Sequence, residues 1–199
     1  MTIVRCAWIV VVLAIAGCAE TVAAPPQARQ AAAPVGPPVT VRGHGLTAEL
    51  PQGWQAANES LTPHLTDPRE ALAVATFPLR YRQTGCAHVP SSALDDLGPG
   101  DAFVTLQERG LGAADDAQGF PARPAHFGPD LGGPSAASRC VPTAHFTDHW
   151  FGFSEGGRAF HVMVAFGPQA SAEVQRQAWA ILDSLGVDPD VVPDWQSSG

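Results

Sequence analysis

The sequence contains no lysine, so all 11 basic side chains are arginines, and 19 acidic residues outnumber them. The formal net charge of −8 argues against a nucleic-acid partner, because binding phosphates requires clustered positive charge. No apolar run reaches the roughly 18 residues that a membrane-spanning helix needs. With 199 residues, the chain has room for one ordinary domain.

What is present begins with the three parts of a secretory signal. Arg5 supplies the positive charge, Cys6–Ala16 form an apolar core too short to span a bilayer, and small residues follow. The tetrapeptide Ile15-Ala16-Gly17-Cys18 resembles the bacterial lipobox. The alternative is a soluble secreted protein cut near Ala23-Ala24.

The lipobox resemblance implies how the N-terminal segments are processed and what they do. Residues 1–17 would be a signal peptide, and Cys18 would become a lipidated N-terminus carrying a diacylglyceryl group and fatty acyl chains such as palmitate. Two or more chains give stable anchoring, so the expected partner is the membrane, on its extracytoplasmic face. Residues 18–38 are rich in Ala and Pro, which predicts a semi-rigid tether.

A single domain is expected over residues 39–190, with a flexible tail at 191–199. Strands are predicted at Leu46–Leu50, Ala71–Phe77 and Ala102–Gln107, although a helix competes for the second. A short helix is expected at Ser91–Leu97. Gly110–Pro142 is expected to be irregular and mobile, with Phe120 and Phe127 packing the segment against the domain.

The strongest local pattern is a hairpin. Phe146–Ser154 and Arg158–Phe166 flank Glu155-Gly156-Gly157, where glycines suit a tight turn. An apolar stripe then predicts an amphipathic helix over Ser171–Leu185, capped by Gly186 and packed on the sheet. Mainly antiparallel strands followed by a covering helix indicate the α+β class.

Two short motifs carry a resemblance at the level of the fold. Leu50-Pro51-Gln52-Gly53-Trp54 resembles the L-P-x-G-W signature of bacterial domains with the PsbP/Mog-type fold, and Ile181–Leu185 is similar to the final helix of that group. Members are mostly binding or assembly factors without a shared catalytic constellation, so the resemblance implies a fold more than an activity.

One motif suggests catalysis. Gly152-Phe153-Ser154-Glu155-Gly156 matches G-x-S-x-G, the nucleophile elbow of α/β-hydrolases, which requires a strand that turns sharply into a helix. The sequence predicts a second strand there instead, and the downstream order of acid and His does not fit. An envelope serine hydrolase using Ser154 is therefore the alternative to a non-enzymatic binding or assembly module.

Metal and cofactor sites are not expected. His145 and His149 are four residues apart, but on a strand this spacing separates them by about 13 Å, too far to share one ion. Once Cys6 leaves with the signal and Cys18 takes lipid, Cys86 and Cys140 are the remaining cysteines, and an exported chain favours a disulfide between them. Unlinked thiols or a cysteine-containing metal site are the alternatives.

Two surfaces are candidates for contact with a partner, such as another envelope protein. Arg80 and Arg82 flank Tyr81 and could grip an anion, or serve as a charged edge that discourages aggregation. Trp150 and Phe151 are expected on opposite faces of the sheet. If a helix covers only one face, the other should present apolar surface, which usually marks a contact site.

Overall fold

The computed structural model describes residues 36–83, 86, 89–110, 119–135, 141 and 145–191. In this part of the chain, eight strands form two antiparallel sheets, accompanied by two helices. The expected α+β class is therefore confirmed.

The larger sheet has five strands in the order β3-β4-β5-β7-β6, and each neighbouring pair is antiparallel. Its strands are β3 (Gln55–Ala56), β4 (Arg69–Ala75), β5 (Ala102–Glu108), β6 (Thr147–Glu155) and β7 (Arg158–Phe166). All seven residues of β5 are buried, as befits the central strand of a sheet covered on both faces. The choice of strand over helix for β4 is confirmed.

The smaller sheet has three strands in the order β1-β2-β8. They are β1 (Val39–Gly43), β2 (Leu46–Leu50) and β8 (Gly186–Val187). Leu46, Ala48 and Leu50 are buried while Thr47 and Glu49 are not, so the half-buried strand that the alternation predicts is confirmed.

The predicted hairpin is also confirmed, with a shorter turn than expected. Glu155 pairs with Arg158 at the end of β6 and β7, which leaves Gly156 and Gly157 as a two-residue turn. Their φ angles of +60° and +75° are characteristic of a type I′ turn, whose twist matches that of the two strands.

The two helices are α1 (Ser91–Asp96) and α2 (Ala172–Asp183). Ser171 caps the start of α2, because its hydroxyl oxygen accepts a hydrogen bond from the backbone N–H of Val174. The expectation that Gly186 caps its end is wrong. Ser184 occupies that position and Gly186 begins β8, where a Cβ would lie 2.5 Å from the Thr47 hydroxyl oxygen.

The L-P-x-G-W motif links the small sheet to α2. Gly53 has a φ of +89°, and the backbone N–H of Trp54 donates to the carbonyl of Pro51, which closes the turn. This turn directs the Trp54 ring into the core, where its indole N–H donates to the side-chain oxygen of Gln177 at 2.9 Å. The motif is therefore explained by packing and one buried hydrogen bond.

Residues 119–135 lie alongside β6 and form only isolated bridges with it. Backbone hydrogen bonds join Pro121 and Arg123 to Ser154, and Gly133 to Trp150. The guanidinium group of Arg123 donates to three carbonyl groups at the end of α2, those of Leu182, Asp183 and Leu185. This segment thus adds hydrogen bonds to carbonyls in and just beyond the last turn of the helix, where intrahelical donors are lacking.

Hydrophobic side chains pack on both faces of the larger sheet. The first face carries Val104, Val162 and Phe153, which pack with buried residues of α2 and β2. The second face carries Phe103 and Met163, which pack with α1 and with residues from the connecting segments. The buried residues of α2 are Val174, Gln177, Ala178, Trp179, Ile181 and Leu182.

Candidate functional site

Trp150 and Phe151 point to opposite faces of the larger sheet, as expected. Phe151 packs against the core of the first face, and Trp150 packs against the core of the second face. The apolar surface expected on one face is not found, because both faces are covered. Among the described residues, the large hydrophobic side chains that are exposed are Val39 and Val191, and neither belongs to this pair.

Arg80 and Arg82 lie in an irregular segment several residues beyond the end of β4, not at a strand edge. The Arg82 guanidinium donates to the Asp96 carboxylate and to the Ser92 carbonyl oxygen. Arg82 therefore links this segment to α1, through the Ser92 carbonyl group and the side chain of Asp96 at the helix end. The anion-gripping pair of arginines is not supported by this arrangement, because an acidic partner already neutralises one of them.

Ser154 lies within β6, and the chain continues through the hairpin turn into β7. Its hydroxyl group is within 3.3 Å of the carbonyl oxygens of Phe120 and Pro121, to which it donates. The strand-to-helix elbow that exposes a hydrolase nucleophile is therefore not formed at this serine.

Cys86 is disulfide-bonded, but Cys140 lies outside the described residues, so the pairing of these two cysteines stays a prediction. Cys18 and the other N-terminal residues up to 35 lie outside as well. Within the described ranges, no three His, Cys, Asp or Glu side chains come together as a metal site. No helix in those ranges is long and apolar enough to cross a membrane.

A cavity of about 320 Å³ lies between the smaller sheet and the β3–β4 side of the larger sheet. Its buried floor includes Leu46, Ala48 and Ala71, and exposed polar residues surround the opening. The polar residues at the opening are Arg42, His44, Asn58, Glu59 and Ser60. Its volume is at the lower end of the range for small-ligand sites, and more of its exposed lining is polar than apolar.

Glu70, on β4, is the least exposed of the ionisable residues that line this cavity. Its Oε1 atom accepts a hydrogen bond from the backbone N–H of Leu61 at 3.0 Å, whereas Oε2 is buried and has no partner. Burial raises the pKa of Glu70 to about 7, although the Leu61 hydrogen bond opposes this shift. At pH 7 both the neutral and the charged form of the Glu70 carboxyl group are therefore populated.

Glu70 also begins a row of polar side chains across the second face. Gln107 lies opposite Glu70 in the β4–β5 register, and His161 lies opposite Gln107 in the β5–β7 register. Directly opposite residues point to the same face, so the three side chains are neighbours. Gln107 is only 1% exposed and its Nε2 group has no partner, so this row is not a closed hydrogen-bond network.

His161 ends the row under a group of aromatic rings. The Trp150 indole stacks on its imidazole with ring centroids 5.4 Å apart, and Phe120 meets it edge-on at 4.9 Å. Burial lowers the pKa of His161, and the positive charge of Arg109 lowers it further, while Asp67 acts in the opposite direction. The neutral imidazole is thereby favoured.

Neither Glu70 nor Gln107 nor the cavity was predicted from the sequence. Glu70 and Gln107 stand 37 positions apart, and only the strand register makes them neighbours. One signal was present, because Glu70 and Gln107 are polar residues that directly adjoin the apolar runs of β4 and β5. Polar residues that such a strand buries are expected to have a specific partner or role.

Comparison with known proteins gives no family assignment: no protein-family model matches this chain, and no curated protein does so.

Proposed function

We propose that this chain is a lipid-anchored extracytoplasmic binding module without enzymatic activity, and that its binding site is the cavity between the two sheets. The observation that carries the proposal is the cavity itself, with its buried floor and its polar opening. Such a cavity can bury part of a small ligand and orient it through the polar groups at the opening.

The proposed location depends on the N-terminal sequence. Ile15-Ala16-Gly17-Cys18 supports cleavage after residue 17 and lipidation of Cys18. Residues 18–38 would then hold the domain of residues 39–190 away from the membrane, by up to roughly 60 Å at 3.1 Å per residue. The tail of residues 191–199 has no assigned part in this arrangement.

The finer details of the fold belong to the same proposal. In it, α2 is the amphipathic helix that covers the first face of the larger sheet, and its buried Val174, Ile181 and Leu182 support this role. The domain resembles the PsbP/Mog-type fold through its L-P-x-G-W motif. That resemblance favours a binding or assembly role, with a second envelope protein as a further candidate partner.

The alternative function, a serine hydrolase, loses its main support. Ser154 donates its hydroxyl to backbone carbonyls in a two-stranded hairpin, and the hydrolase motif needs a strand followed by a helix. A Ser154→Ala variant is expected to match the parent chain in a general esterase assay. Esterase activity that is present in the parent chain and lost in the Ser154→Ala variant would support the serine hydrolase instead.

The anchor is tested by substituting Cys18 in cells. Cys18→Ala is expected to leave the membrane fraction or to remain unprocessed, whereas Cys6→Ala, within the signal core, should be processed and anchored normally. A Cys18→Ala protein that is cut normally and stays with the membrane would overturn the lipid anchor.

The binding site is tested with a library of small fragments and the isotope-labelled full-length chain. Ala56 lines the cavity, so Ala56→Phe should fill it and abolish the chemical-shift changes that fragments cause at cavity residues. Gln55, the exposed neighbour on β3, does not line the cavity, and Gln55→Phe should preserve those changes. Fragments that leave the cavity residues unchanged, or that bind Ala56→Phe equally well, would contradict the proposed site.

A further inference from the structure

We infer that β1 is an interaction surface, and that a second copy of this chain docks on it by pairing its own β1 in the antiparallel sense. β1 is the outer strand of the smaller sheet, and β2 is its strand partner in the described ranges. Four of its five residues are exposed, and Val39, at 63%, is one of two exposed large hydrophobic side chains among the described residues. An uncovered edge strand is a template for pairing with another chain. This inference goes beyond the proposed function and does not use the cavity.

The turn between β1 and β2 shows which backbone groups of β1 face outwards. It has two residues, so Gly43 and Leu46, which flank it, exchange both of their backbone hydrogen bonds. The direction of the backbone groups alternates along a strand, so every second residue of β1 bonds to β2 in this way. Thr40 and Arg42 lie between those residues, and their N–H and C=O groups point away from β2. In the described part of the chain these four groups have no backbone hydrogen-bond partner.

One antiparallel register satisfies all four outward groups. It sets Thr40 of each copy opposite Arg42 of the other, so that each such pair exchanges two backbone hydrogen bonds across a two-fold axis. Val41 then lies on the axis and faces Val41 of the second copy. Pairing Arg42 with itself would place like charges opposite each other, and pairing Thr40 with itself would set Arg42 opposite Pro38, which has no N–H group.

This register also covers the exposed valine. Val39, Val41 and Gly43 share the inner face of the smaller sheet, because β2 sets buried residues opposite all three. In the joined sheet, Val39 lies opposite Gly43 of the second copy. A Cβ on Gly43 would meet no atom within 4 Å, so the space in front of it is open to the incoming valine. Val39 thereby loses contact with water, which favours association.

The charges on the outer face of the joined sheet are complementary. Arg42 and Glu49 are both exposed, and neither forms an ion pair within the described residues. Glu49 lies opposite Thr40 within one copy, and Arg42 of the second copy lies opposite the same Thr40 from the other side. The Cα atoms of Arg42 and Glu49 are then two strand spacings apart, about 10 Å, which two long side chains can bridge. The two arginines at the joint between the strands are therefore balanced by two glutamates.

The pairing is expected to be weak in solution. One five-residue strand from each copy makes a small contact, below the roughly 1,000 Å² of a specific, stable interface. Attachment of many copies to one membrane, as proposed above, would raise their local concentration and favour the contact. The two-fold arrangement uses the β1 edge of both copies, so association stops at the dimer.

Cysteine cross-linking tests the pairing and its register. Val41→Cys places two thiols opposite each other, with Cα atoms about 4.5 Å apart, whereas Thr40→Cys leaves them on a diagonal about 8 Å apart, too far for a disulfide. The full-length variants, in an uncharged detergent with micelles in excess over chains, are oxidised by dissolved oxygen with copper phenanthroline. Covalent dimer is measured on a non-reducing gel, and its rate is normalised to the alkylation rate of the same thiol. Val41→Cys is expected to react at least tenfold faster, although Thr40 is the more exposed position, and the parent chain should form no dimer.

Charge reversal in the Val41→Cys background tests the complementary charges. Arg42→Glu leaves only acidic residues at the joint and should slow cross-linking at least tenfold. Adding Glu49→Arg restores opposite charges and should return the rate to within about threefold of the Val41→Cys chain. Arg80→Glu, at an exposed position outside β1, changes the net charge equally and should leave the rate unchanged. Equal urea midpoints confirm that each variant folds.

The outcomes decide the inference in either direction. Val41→Cys that cross-links no faster than Thr40→Cys would overturn it, and the β1 edge would be left to an extended segment of a different protein. An Arg42→Glu variant that cross-links at the full rate, or a reversed pair that stays as slow as Arg42→Glu alone, would also overturn it. Fast cross-linking at Val41 together with recovery by the reversed pair would establish the dimer and its register.

Discussion

Arg158 and Glu108 form a buried ion pair in which both guanidinium Nε and Nη2 donate to the carboxylate, at 2.7 and 2.8 Å. The side chains are 4% and 0% exposed, so both charges are withdrawn from water. Arg158 also donates to the carbonyl oxygens of His44 and Gly45 in the turn between β1 and β2. One arginine thus joins the two sheets, and its loss would affect the wall of the cavity between them.

Removing one partner of this pair should be strongly destabilising. We expect Glu108→Gln to reduce the free energy of unfolding by about 3–5 kcal/mol, because it leaves the Arg158 charge buried without a counter-ion. Urea denaturation measures this change. The matched control is Asp96→Asn, which removes the partner of Arg82 at the surface and should leave the midpoint nearly unchanged. Equal effects of the two substitutions would contradict the buried pair.

The role of α2 as the cover of the first face is tested by truncating one buried side chain. Leu182 is fully buried, so Leu182→Ala should cost about 2–5 kcal/mol of stability through lost apolar burial and the cavity it leaves. Gln175, on the exposed side of the same helix, provides the control Gln175→Ala. A loss below about 1 kcal/mol for Leu182→Ala would mean that this face of α2 does not carry the core.

Glu70 should make stability depend on pH in a defined direction. Its pKa rises from 4.5 to about 7 on folding, so the folded state binds the proton more tightly than the unfolded state. The stability from this proton is fully present below about pH 4.5 and is lost as the pH rises through 7, by about 3 kcal/mol in total.

A Glu70→Gln variant lacks this titration, so its stability relative to the parent chain should increase between pH 4.5 and pH 8. Denaturation at several pH values measures the difference, and Glu49→Gln supplies the comparison with an exposed carboxylate. A constant difference between Glu70→Gln and the parent chain across this range would show that Glu70 titrates normally.

The remaining cysteines give a covalent prediction. If Cys86 and Cys140 are joined, mass spectrometry of the unreduced mature protein should find their two peptides linked and lighter by two hydrogens. The bridge would close a loop of about 55 residues, for which chain entropy predicts about 4 kcal/mol of stabilisation. Alkylation of both cysteines under native, unreduced conditions would exclude it.

Local patterns predicted most of the regular structure. The alternation in Leu46–Leu50 and the Gly156-Gly157 pair each depend on residues close together in the chain. Strand alternation and tight-turn geometry are local properties, so sequence alone was sufficient for these two features. The end of α2 was misplaced because Gly186 belongs to β8 and lies close to the Thr47 side chain on another strand, which no local pattern reveals.

The sequence by itself determined the charge balance, the signal-like N-terminus, the hairpin and the α+β class, because these depend on composition and on neighbouring residues. Only the tertiary structure decided the site. It covered both faces of the larger sheet, so that Trp150 and Phe151 each pack on a core, and it paired Arg82 with Asp96. It also brought Glu70 beside Gln107 and placed it in the wall of a cavity. Strand register and sheet packing join residues that are distant in the chain, and burial then sets the pKa of Glu70.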